Sequence, residues 1–85
     1  MDPVLMSVQT EAARAYDKHG NHNSTHESLG VLLEEFDELK AAIHLNDIEA
    51  VIRESIQVAA VAYSLAYICS VGDPDFCIRS GFTTK

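Results

Sequence analysis

Between Val58 and Cys69 only Tyr63, Ser64 and Tyr67 carry polar groups, and a helix without a polar face must be covered on several sides. In a chain of 85 residues this requirement constrains the fold more than any other. A domain so small buries only about 60% of the surface its unfolded chain exposes, so a single copy is marginally stable. Ala59, Ala60, Ala62 and Ala66 permit close approach, and the run is expected to form a helical interface between copies. It is shorter than the roughly 20 apolar residues of a membrane span, and Arg53, Glu54 and Gln57 precede it.

The rest of the chain agrees with an all-α fold. It is 47% hydrophobic without a tryptophan and has only four glycines and two prolines, too few turn formers for a sandwich of short strands. A first helix is expected from Asp2 and Pro3 to Tyr16 or Lys18, with Val4, Leu5, Val8, Ala12 and Tyr16 as its apolar stripe. His19-Gly20-Asn21-His22-Asn23 should be an exposed connection. Ser24 and Glu27 form a capping box that opens a second helix ending near His44, with Leu29, Leu32, Leu33, Phe36, Leu39 and Ile43 as its core face. Val31, Glu35, Glu38 and Ala42 lie on a neighbouring stripe. Asn46 and Glu49 repeat the box and start a third helix, which should end near Val71 at Gly72.

A link of two or three residues between the second and third helices forces an antiparallel hairpin. The expected architecture is therefore an antiparallel helical bundle of three main helices over residues 1–72, completed by homo-oligomerisation. Residues 73–85 form a tail in which Phe76, Ile78 and Phe82 allow loose docking or a short fourth helix.

Thirteen acidic residues against six basic ones give a formal net charge of −7, and the basic residues are scattered. That excludes duplex nucleic acid as a natural partner. It also repels a free nucleoside triphosphate unless divalent cations invert the local field. The amino end has neither a basic region nor a long apolar core, so a cytoplasmic protein without a membrane anchor is expected, with Cys69 and Cys77 as free thiols.

The acids are placed to hold such cations. Glu35 and Glu38 share a helix face, and the hairpin brings Glu54 opposite them, on the same face as Val58, Val61 and Leu65. A carboxylate on packed surface must be compensated by an ion or by a base such as Lys18, Lys40 or Arg53. Magnesium suits the arrangement, because it takes hard oxygen ligands and is commonly shared between carboxylates and substrate phosphates. The competing reading is a solvated acidic face.

Glu34-Glu35-x-x-Glu38 followed by Glu54 resembles the EExxE and ExxD motifs of MazG-like all-α nucleoside triphosphate pyrophosphohydrolases. The likeness runs from about Tyr16 to Tyr67 and includes His26-Glu27-Ser28-Leu29-Gly30-Val31-Leu32-Leu33 and Gln57-Val58-Ala59-Ala60-Val61-Ala62. It implies a homodimer or dimer of dimers that uses magnesium to hydrolyse a nucleoside triphosphate to monophosphate and pyrophosphate. Glu34, Glu35, Glu38 and Glu54 would then be the catalytic acids, with Glu35, Glu38, Glu54 and Gln57 around the metal. Gln57 offers a neutral amide where the family has an aspartate, which implies a weakened enzyme or binding without turnover. The alternative is a non-catalytic oligomeric scaffold or a nucleotide- or metal-binding module.

Lys18 and His19 are placed to approach substrate phosphate at the bundle mouth. His19, His22 and His26 lack the cysteines and the spacing of a zinc site and are expected to be exposed loop histidines. No glycine-rich phosphate cradle occurs, so any grip on phosphate has to run through metal.

Overall fold

A computed structural model describes residues 2–81 and, within them, contains four helices and no strand. Helix α1 spans Pro3–His19, α2 Thr25–His44, α3 Ile48–Val71 and α4 Pro74–Arg79. The fold is all-α. Helix α3 is its centre, since both α1 and α2 pack along it and α4 folds onto its end.

Each helix starts at a side-chain cap. The Val4 N–H donates to Asp2 Oδ1 at 2.9 Å, with Pro3 in the first turn where its missing N–H costs nothing. Glu27 N–H donates to Ser24 Oγ at 3.3 Å, as the expected capping box requires. The cap of α3 is Asp47, whose Oδ1 accepts from Ala50 N–H at 3.1 Å, and not Asn46. Asn46 instead takes φ 55°, a left-handed conformation that asparagine tolerates better than most residues, and so reverses the chain within the short link. Asp73 accepts from the N–H groups of Asp75 and Phe76 to begin α4. Gly72, at φ 70°, ends α3 where the sequence places the stop.

Burial departs from the expected stripes. On α2 the buried residues are Ser28 and Ala42, with Val31, Leu32, Glu35 and Leu39 half-buried, whereas Leu29, Leu33, Phe36 and Ile43 are each at least 50% exposed. The expected core face of α2 points mostly outward. On α1 only Val8 and Ala12 of the predicted stripe are buried, and they meet Ala60, Ile56 and Ala59 of α3 in a core of small side chains. A single α3 is too narrow to cover the full apolar width of its two neighbours. On α3 itself Ile48, Ile52, Tyr63, Tyr67 and Val71 stay exposed, with the Tyr63 and Tyr67 rings stacked at 6.5 Å.

The whole of α3, 24 residues, is long and apolar enough to cross a membrane, although its most apolar run is shorter. Cys69 and Cys77 are free; Cys69 is exposed and not buried as its helix suggested. The tail does form a short helix, and Phe76 within it is the most buried large side chain, at 1% exposure. Ile78 is exposed, and Phe82 lies outside the described residues.

Candidate metal centre and adjoining cleft

Glu35 and Glu38 stand one turn apart on α2, and the tight reversal at Asn46 lays the second turn of α3, with Glu54, against them. One carboxylate oxygen from each of the three lies within 4.8 Å of the others. Magnesium binds oxygen at about 2.1 Å, so ligands on opposite sides of one ion are roughly 4.2 Å apart, close to this spread. Glu35 and Glu54 are half-buried and Glu38 is exposed.

The electrostatics of the cluster are unbalanced. Glu35 Oε2 and Glu54 Oε2 are fully buried and have no hydrogen-bond partner. Buried carboxylate oxygens normally find donors, and leaving them bare costs the desolvation of a charged group. Arg53 Nε reaches Glu54 Oε1 at 3.5 Å, but residues adjacent in a helix point in different directions, and the Arg53 side chain remains 63% exposed. Neither Lys18 nor Lys40 forms an ion pair with the acids, so among the described residues compensation is incomplete. Burial, and then the charges of Glu38, Glu54 and Glu34, push the Glu35 carboxyl above its usual range. This donor set fits a hard divalent cation. An ion there would supply what the two bare oxygens lack.

Beside the cluster opens a cleft of about 550 Å³ between α1, α2 and α3, closed at one end by α4. Glu35 lines it, so the acidic cluster and the cleft share a wall. Val31, Ala60, Val61, Leu65 and Phe76 make the wall largely apolar. At the closed end, His22 Nδ1 and Ser28 Oγ are 2.7 Å apart, with Ser28 2% exposed. Thr25 N–H donates to Ser80 Oγ at 2.8 Å, and Arg79 Nε donates to the Asn23 carbonyl, which tie the end of α4 to the start of α2.

Glu35, Glu38 and Glu54 thus come together as expected. Glu34 is exposed and acts on the cluster through its charge on Glu35. Gln57, one turn beyond Glu54, lines the cleft together with Glu35 and lies beside Glu11 of α1. His19 lines the cleft, whereas Lys18 is exposed and does not. His19 and His26 are exposed, but His22 is half-buried against Ser28, and among the described residues the glutamate trio is the one group of three placed so that it could hold a metal ion.

Three cleft residues, Glu11, Arg14 and Ser28, have no role in the sequence reading, and Phe76 enters it only as a docking residue of the tail. Glu11 was detectable, since it follows Val8 by three positions and so sits beside the buried face of α1, as Glu54 does on α3. Phe76 carries no comparable sequence pattern. It lies in a six-residue helix, too short for apolar periodicity to show. Comparison with protein-family models, curated proteins and solved structures finds no match to this chain.

Proposed function

We propose that the protein is a magnesium-dependent nucleoside triphosphate pyrophosphohydrolase of the MazG-like kind, working as a homodimer or dimer of dimers. The observation that carries this reading is the acidic trio with two bare, buried carboxylate oxygens on the wall of a cleft large enough for a nucleoside. The motif likeness supports it. Glu35, Glu38 and Glu54 would hold magnesium, which when bound polarises a phosphoryl oxygen and lowers the pKa of an attacking water. Glu34, at the outer edge, orders or deprotonates that water. The apolar cleft wall takes the base or sugar and keeps bulk water from it, while Glu35 joins the two halves of the site.

The outward stripe of Leu29, Leu33, Phe36 and Ile43, beside Ile48 and Ile52 of α3, supports self-association through these helices. Two free thiols suit a reducing cytoplasm. The purified protein should release pyrophosphate from at least one member of a panel of canonical and modified triphosphates with magnesium, and Glu35→Gln should abolish the release. Silence across the whole panel would sink the enzymatic claim. A binding module without turnover is the second reading, favoured by Gln57 in the place of the motif aspartate. Calorimetric heat with magnesium and a non-hydrolysable triphosphate, but no product, would establish it.

A further inference from the structure

We propose that Gln57 anchors a Gln57, Glu11, Arg14 chain that presents the Arg14 guanidinium at the cleft as a docking group for the phosphates of the ligand, instead of serving as a weakened metal ligand. The proposal deepens the functional reading above and rests on it for the nature of the ligand. Arg14 Nε donates to Glu11 Oε2 at 2.9 Å, and Arg14 Nη2 donates to Glu11 Oε1. A guanidinium has five N–H donors in a fixed plane, so this two-point grip sets its direction and leaves three donors free. Arg14 is 59% exposed, and among the described residues no other lysine or arginine lines the cleft. In a chain of net charge −7 it is the permanent cation an entering anion meets there.

Glu11 in turn stands beside Gln57 of α3, the two lining both this cleft and a second groove between α1 and α3. Arg14 first, and then the Gln57 amide, keep the Glu11 carboxyl below its usual range. A carboxylate only accepts hydrogen bonds, so a bond between the two runs from the Gln57 NH₂ to Glu11. An aspartate at position 57 would instead set a second negative charge beside Glu11 and compete with it for Arg14. The amide is therefore matched to Glu11, and the departure from ExxD has a cause on the neighbouring helix.

Calorimetric titration of the full chain with magnesium alone, and with inorganic tripolyphosphate in the presence of magnesium, tests this. Arg14→Gln should weaken tripolyphosphate binding on the order of tenfold or more and leave magnesium binding unchanged. Gln57→Asp should weaken tripolyphosphate binding in the same way, and the swapped pair Glu11→Gln with Gln57→Glu should recover part of the loss. Tighter magnesium binding by Gln57→Asp would overturn the proposal, as would tripolyphosphate affinity unmoved by Arg14→Gln or undetectable in the wild type. Arg14-dependent tripolyphosphate binding in a protein that releases no pyrophosphate would support this inference while defeating the enzymatic one.

Discussion

The two faces of α2 are inverted relative to the usual order of a small helical protein. Its inner face, against α3, carries Ser28, Val31, Glu35 and Ala42, while its outer face carries Leu29, Leu33, Phe36 and Ile43. Carboxylates lie half-buried and large apolar side chains lie in the open. Exposing such a stripe costs about 25 cal/mol for every Å² of apolar surface left in water, and burying bare carboxylate oxygens adds a further penalty. Among the described residues both faces lack a partner: apolar cover outside and positive charge inside. The proposed self-association would cover the first face and the proposed cation would compensate the second.

The largest effect should come from the outer face. If the proposed self-association covers this face, Phe36→Asp is expected to dissociate the assembly or unfold the chain, read as a lower sedimentation coefficient and melting temperature, because a charge in a covered apolar face costs several kcal/mol. If both readouts stay unchanged, the face is simply wet and the comparison breaks. Phe76→Ala comes next, with an expected loss of about 3–5 kcal/mol in denaturant unfolding, since it empties the most buried large position. A loss below about 1 kcal/mol would show that α4 is not a fixed wall of the cleft.

The inner face should reveal itself in pH dependence. The Glu35 pKa is raised, so between its ordinary range and the raised value the folded state holds a proton that the unfolded state lacks. Stability in chelator should therefore fall as pH rises through that window. Glu11, held low by Arg14, acts in the opposite direction, and its contribution is lost as pH falls through its lowered value. Glu35→Gln should remove the first slope, and millimolar magnesium should suppress it. Melting curves that decline identically in the wild type and in Glu35→Gln would show that the bare oxygens carry no such strain. The smallest effect is expected at the hairpin turn, where Asp47→Ala should cost about 1 kcal/mol of stability by removing the α3 cap.

The sequence revealed more of the helices than of their orientation. The start of α1 at Asp2 and Pro3, the cap at Ser24 and the stop at Gly72 are local chemistry and were legible, apart from the one-position shift of the third cap from Asn46 to Asp47. Which stripe of α2 faces α3 depends on the hairpin's geometry, and periodicity cannot decide it when an apolar stripe and an acidic stripe are neighbours. Glu35, Glu38 and Glu54 were legible because spacing and a short link sufficed. The meeting of Gln57 with Glu11 at the cleft was not, because it brings α3 to α1 across 46 positions of the sequence.

The bond between Thr25 N–H and Ser80 Oγ also bears on the order of folding. The α2 and α3 hairpin closes over a turn of a few residues, whereas this bond closes a loop of 55, whose entropic cost must be met before it yields any stabilisation. The acidic trio, built on the hairpin alone, should assemble early, and the cleft's end should close late. In pulse-labelled hydrogen exchange the amides of α2 and α3 would gain protection before that of Thr25. A nascent chain would then present its three clustered acids before the cleft beside them has a finished end.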